Sequence, residues 1–352
     1  MINYLVTADR AYTIKNYLDH WGINIRHLFR VISYTDLWLN RTIPGGSYIF
    51  SDLERLVPAE RVLAHHIYDV IVRNGCGVSP LNNPVLAADR ITLLGRLWEA
   101  RLNDFKAHKV TSSLRDVRYP VFLRESNDHR GSLSGLLRSP KEVDIAVARA
   151  VLRGFPLESL LLIEYCNTAD SGGIYRKYSY FKINDALIPR HILFSKGWLL
   201  KFMDLESAHF LQEERIFLDK SPNRFEVGEI FRIAQIDYGR IDYSIDNNNK
   251  IQTWEINTNP TLLLVPTEYS VDRFPLQQAF AERLQTAFES FDSHAQADEH
   301  QFTPHEALLR LAAQQREYAK KRSAFPRIVR FAGNYPTLIR PLGWFARRLS
   351  AN

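Results

Sequence analysis

The stretch that most constrains this chain is YGRIDYSIDNNNKIQTWEINTNP, residues 238–260. Two alternating runs, Arg240–Ile245 and Ile251–Ile256, flank Asp246-Asn247-Asn248-Asn249, a composition that favours a turn. The pattern predicts a β-hairpin. With the turn centred between Asn248 and Asn249, Asp242 and Glu255 lie opposite each other on one face. Asn257, two residues past Glu255, presents its amide on that same face. Two carboxylates and an amide oxygen are hard ligands suited to Mg²⁺, which leaves its other positions to phosphate oxygens and water. A desolvated carboxylate pair repels itself, and a divalent cation resolves the conflict. The same residues also suit an edge hairpin whose polar side chains face solvent.

At 352 residues the chain is long enough for two or three compact units. Its 45% hydrophobic and 24% charged content is that of a soluble globular protein. No run approaches the ~20 apolar residues of a membrane helix. The start, MINYLVTADRAY, lacks the basic, apolar and small-residue sequence of a secretory signal. Cys76 and Cys166 are the only cysteines, without CxxC spacing, which excludes a disulfide framework and suits reduced thiols in the cytoplasm. The net charge of +6 is uneven, because residues 313–352 hold nine basic residues against the single acid Glu317. The high pI is therefore a property of that tail.

Along the chain, residues 2–7, 10–21 and 25–32 read as strand, helix and strand, the βαβ pattern of an open α/β sheet. Tyr48-Ile49-Phe50 is a further strand, and 58–74 a helix opened by Pro58 and Glu60. Residues 87–100 are helical, Tyr119–Arg124 a strand, and Ser139-Pro140-Lys141-Glu142 opens a helix. Leu160–Tyr165, Tyr175–Ile183 and Ile188–Phe194 read as strands, and 217–238 as helical in its second half. Beyond Val271 only helices are expected, over 272–291 and 304–321.

The order Arg-Ile-Asp, twelve residues, then Glu-Ile-Asn with Pro260 shortly after resembles the metal motif of ATP-grasp ligases such as D-alanine–D-alanine ligase. The resemblance implies Asp242, Glu255 and Asn257 as metal ligands and Arg240 as the stabiliser of transferred charge. It further implies ATP and Mg²⁺ as cofactors and an α/β fold of the α+β grasp kind. An N-terminal pre-ATP-grasp unit would span 1–84 and an ATP-grasp domain 85–270. Within that domain a nucleotide lobe would occupy about 110–170 and a metal lobe about 171–270, followed by a helical extension with the basic tail, 271–352. Ile163, Glu164, Tyr165 and Cys166 stand where the family meets adenine, and the end of an apolar strand suits a flat ring with a polar edge. Arg90 and Arg124 stand where the family has phosphate-contacting lysines, and guanidinium keeps the charge while adding a planar fork. Lys177 and Arg190 are assigned to phosphate as well, Lys182 equally to solvent, and His191, which points away from Arg190 in a regular strand, reads as a packed or surface histidine. Asn127–Ser132 would be a flap over the phosphates. The segments YRKYS, IPRH and EINTNP are similar to those of a group of bacterial ATP-grasp proteins of unassigned substrate.

The resemblance implies a ligase that activates a carboxylate as an acyl phosphate for attack by an amine or similar nucleophile. Two alternatives stand beside it: a phosphotransferase on the same fold, and a nucleotide-binding regulatory protein without ligase activity. Partners would be small-molecule carboxylates and amines, with a homo-oligomer left open. In the tail, Phe325, Ile328, Phe331, Leu342, Trp344 and Phe345 interleave with arginines. That mixture fits packing on the body, then an anionic membrane surface, and last of all nucleic acid.

Overall fold

The computed structural model describes residues 1–74, 79–127, 131–200, 204–292 and 298–333, with the backbone alone over 321–333. In chain order the elements are β1 Ile2–Val6, α1 Tyr12–His20, β2 Phe29–Ser33, α2 Tyr34–Asn40, β3 Thr42–Ile43, β4 Ser47–Phe50 and α3 Pro58–Arg73. There follow α4 Arg90–Glu99, β5 Ala107–Lys109, β6 Val121–Glu125, α5 Pro140–Leu152, β7 Leu160–Glu164, β8 Tyr175–Ile183 and β9 Ala186–Ser195. The remainder is α6 Ala208–Lys220, α7 Arg224–Ala234, β10 Tyr238–Ile245, β11 Ile251–Asn257, α8 Phe274–Phe291, β12 His300–Gln301 and α9 Glu306–Gly333. The chain divides into two compact units. The larger is Met1–Lys106 with Cys166–Ala312; the smaller is Ala107–Tyr165 with the described residues from Ala313 onward.

The larger unit begins with a parallel sheet of order β2-β1-β4, the βαβ arrangement that the first apolar runs predict. Ile2, Tyr4 and Val6 pack with Ile14, Tyr17 and Phe288, whereas Leu5 packs with Trp38, Leu63 and Ile67. A strand covered on both faces reads as continuously apolar, which is why INYLV shows no alternation. Only Phe29–Ser33 of the expected 25–32 strand is extended; Ile23–Leu28 forms 3₁₀ turns that bury Ile25 alone.

The second sheet of this unit is antiparallel, in order β11-β10-β8-β9. Tyr178, Tyr180, Ile192, Phe194, Ile241 and Tyr243 turn into a core shared with Phe217, Val227 and Phe231. On the other face Lys177, Ser179, His191, Arg240 and Asp242 are polar, whereas Phe181, Ile183 and Ile188 pack into the core of the parallel sheet with Tyr238 and Phe280. Full burial of such side chains contributes about 1.5–3 kcal/mol each. Helices α6 and α7 are among those that cover the apolar face. The sequence reading found the second of them, α7, and missed α6. Ser207 caps α6 by accepting from Phe210 N, but the buried stripe of α6 includes Glu214, which breaks the apolar period.

The smaller unit contains an antiparallel sheet, β5-β7-β6, with its own core of Val121, Leu123, Val143, Leu160 and Leu162. Ser139 caps α5, accepting from Glu142 N at 3.3 Å, with Pro140 next in line, as the sequence predicts. Strand β12 pairs with β3, so the region beyond Val271 is not helical throughout. Helix α9 continues past the expected end at 321 to Gly333. Cys76, residues 128–130 of the flap assignment and the tail from 334 lie outside the described residues.

Candidate functional site

The site lies on the polar face of the antiparallel sheet in the larger unit. Asp246 shapes the hairpin turn: its side chain accepts from Asn248 N and Lys250 N at 2.8 and 3.0 Å, and Asn249 takes φ +60°. This turn is centred on Asn248, one half-step from the sequence expectation, giving Ile245↔Ile251 and Tyr243↔Thr253. A β-bulge at Trp254 then restores Asp242↔Glu255 and Arg240↔Asn257. The bulge also decides the faces. Ile251 and Ile256 are an odd number of positions apart, and both pack against the same core only because one residue is extra. That odd spacing of isoleucines is the sequence signal that would have revealed it. A Cβ at Gly239 would stand 2.8 Å from the Asn257 carbonyl oxygen, so glycine permits the close approach of β10 there.

Asp242 is 3% exposed. Its Oδ1 accepts from Ser179 Oγ at 2.8 Å and from Arg240 Nε at 2.9 Å. Its Oδ2 takes Arg240 Nη2 at 3.2 Å, with Lys177 Nζ at 3.4 Å. Burial raises the pKa of this carboxyl, but Arg240 and Lys177 outweigh burial and Glu255 together and hold it below the usual range. Glu255, opposite, is ion-paired with Arg90 of α4. Asn257 Oδ1 accepts from Asn259 N at 2.8 Å, which leaves its second lone pair. The turn after β11 is anchored to the parallel sheet. Leu53 N donates to Thr258 Oγ1 at 3.0 Å, and Tyr4 OH and Thr13 Oγ1 donate to Asn259 Oδ1 at 3.0 and 2.7 Å.

These donors fit a hard divalent cation: two carboxylates and an amide oxygen on one face, with cationic side chains now offsetting the acidic charge. Among the described residues no group of three or more His, Cys, Asp or Glu is placed to hold a metal, so any protein-bound cation here would depend on the amide as third donor.

The other assigned residues divide clearly. Lys177, Arg240 and Arg90 touch the carboxylates directly. Lys182 is bonded to Asp237 at 3.0 Å and Ile236 O at 3.3 Å. Arg190 is 5% exposed and donates to Leu262 O, Gln277 Oε1 and Tyr269 OH at 3.0, 2.5 and 3.3 Å, with Phe280 beneath it. Burial lowers its pKa from the ordinary guanidinium value. Within the smaller unit, Glu164 is buried. It accepts from Arg118 N and Nε at 3.0 Å and Nη2 at 2.8 Å, and His108 Nε2 stands 3.0 Å away. Val121↔Glu164 and Phe122↔Ile163 pair in the ladder, Arg124 lies opposite Leu161, and Tyr165 N donates to Pro120 O. Cys166 is half-buried and in no disulfide.

His191 is packed, one of the two readings the sequence offers, but its alternation with Arg190 is lost. Pro189↔Tyr180 and His191↔Ser179 flank Arg190 as a second bulge, so the strict alternation that would separate neighbours fails there. His191 is buried, and its Nε2 lies 3.0 Å from Ser179 Oγ. Burial, then Arg190, Arg240, Arg273 and Lys177, push its pKa well down and keep the ring neutral. Ser179 and the buried pair Arg273–Glu214, joined at 3.0 and 3.2 Å, were likewise missed by sequence reading.

No family model matches the chain, and no curated protein matches it. Among solved structures it is similar to an L-amino acid ligase from Bacillus licheniformis, at 12% identity and TM-score 0.42, covering 84% of this chain and 77% of that one. It is also similar to the D-alanine–D-alanine ligase from Coxiella burnetii, at 10% identity and TM-score 0.43, covering 82% and 97%.

Proposed function

We propose that the chain is an ATP- and Mg²⁺-dependent ligase of the ATP-grasp kind, joining a carboxylate to an amine or similar nucleophile through an acyl phosphate. The observation that carries this reading is the register Asp242↔Glu255 and Arg240↔Asn257, with Lys177 and Arg90 bound to the same carboxylates. Asp242, Glu255 and Asn257 would hold Mg²⁺, whose charge would offset that of the phosphate oxygens. The difficulty of the reaction is electrostatic, since an anionic carboxylate must meet an anionic phosphoryl group. Arg240, Lys177 and Arg90 are the cations this face offers to that charge, which suits catalysis by positioning and electrostatics. The same proposal assigns adenine to Ile163, Glu164, Tyr165 and Cys166, and phosphate to Arg124 and Arg190.

The test is an ADP-release assay over pools of amino acids, polyamines and carboxylates, comparing wild type with Glu255→Gln. ADP formation that requires both a carboxylate and an amine supports ligation. The variant is expected to lose roughly 10²–10³ in rate. A wild type that binds no Mg-ATP refutes the reading, and a Glu255→Gln variant that turns over equally refutes the metal assignment.

A further inference from the structure

Ser179 lies opposite His191 on one side and Asp242 on the other, and Asp242 lies opposite Glu255. The four residues thus form one row across all four strands, β9, β8, β10 and β11, on the polar face. Hydrogen bonds link the first three, His191 Nε2 to Ser179 Oγ at 3.0 Å and Ser179 Oγ to Asp242 Oδ1 at 2.8 Å.

The protons in this row can be assigned by counting. The Asp242 carboxylate lies between Arg240 and Lys177 and accepts from its neighbours. The single hydroxyl proton of Ser179 is therefore spent on Asp242, and the remaining contact of Ser179 Oγ must be filled by a donor. That donor is His191 Nε2, which places the ring in its Nε2–H tautomer. The depressed pKa of His191 agrees, because an imidazolium would add a further cation among Arg190, Arg240, Arg273 and Lys177.

We infer that Ser179 and His191 are positioning residues that orient the Asp242 carboxylate toward a divalent cation. This role rests on the metal reading proposed above. Ser179 fixes Oδ1 at 2.8 Å, whereas Oδ2 is held by the longer contacts of Arg240 Nη2 and Lys177 Nζ at 3.2 and 3.4 Å. Oδ2 is thus the oxygen that a cation can take from its present partners while Oδ1 stays anchored. Partners of this kind fix a ligating carboxylate by hydrogen bonding, and their loss weakens metal binding without removing a ligand.

The probe is Mn²⁺, with binding read from the free-ion electron paramagnetic resonance signal in the presence of ADP, without turnover. Ser179→Ala and His191→Leu are expected to bind Mn²⁺ roughly 10–100-fold more weakly than wild type. Ser179→Thr, which keeps the hydroxyl, and His191→Gln, which keeps a donor, should recover most of that affinity. Wild-type affinity in folded Ser179→Ala and His191→Leu overturns the inference and leaves the metal site standing. A wild type that binds no Mn²⁺ overturns the metal site and this role together. If the variants do not fold, ¹⁵N spectra of the wild-type histidines decide: a protonated Nε2 with a bare Nδ1 at His191 supports the row, and the opposite tautomer overturns it.

Discussion

Asp52 illustrates what individual residues carry in this chain. It is wholly buried at φ +58°, where Thr7 and Arg55 donate to its carboxylate. Burial and then Glu54 outweigh those partners and raise its pKa to about 6. The folded chain therefore keeps this proton over a range, about pH 4 to about 6, where the unfolded chain has released it. The stability Asp52 contributes is complete below that range and is lost as pH rises through it. Asp52→Asn should accordingly gain stability relative to wild type between pH 4 and 6, by an amount on the order of a few kcal/mol, in urea unfolding across that window. The Glu214–Arg273 pair makes a second case. Arg273→Met would strand a buried carboxylate at a cost of about 3–5 kcal/mol, and adding Glu214→Leu should recover much of it. Equal unfolding free energies for the single and double variants would refute that account. Neither residue announces itself in sequence, because a glutamate within an amphipathic helix reads as solvated until its partner is seen.

At the scale of elements, the hairpin β10–β11 was legible and its details were not. Alternation and an Asp-Asn-rich turn identify two paired strands, since both signals are local. The register arose from two offsetting departures, a turn centred on Asn248 and a bulge at Trp254. Asn249 is the residue that makes this turn accessible, because its left-handed conformation is costly for a branched side chain. Asn249→Val should cost about 1–2 kcal/mol and loosen the pairing of Asp242 with Glu255, whereas Asn249→Gly should not. Thermal melting together with Mn²⁺ affinity measures both effects. The alternation expected between Arg190 and His191 fails for the same reason: a bulge depends on the neighbouring strand, and a strand read alone has no neighbour.

For the whole molecule, the carboxylates of the proposed metal face are ion-paired with the chain's own cations, Asp242 with Arg240 and Lys177, and Glu255 with Arg90. Chelation should therefore leave the melting temperature of the ligand-free protein unchanged. Mg²⁺ with ADP should raise it, by about 2.7 kcal/mol of stability at a hundredfold excess over the dissociation constant. Calorimetry with EDTA, with Mg²⁺ alone and with both ligands checks this, and unfolding by EDTA would show a structural metal instead. No helix among the described residues is long and apolar enough to cross a membrane.

The residue pattern by itself determined the βαβ opening, the helix capped by Ser139 and the hairpin with its acids, because each is written in spacings of two to four residues. Tertiary structure alone decided the row His191–Ser179–Asp242–Glu255. Ser179 and Asp242 are 63 positions apart, and what brings them together is the order of strands in a sheet. It also decided that the turn holding Asn257 is tied to Leu53, Tyr4 and Thr13 of the parallel sheet. Such contacts follow from which faces must be buried together, a property of the assembled core that no short window of sequence contains.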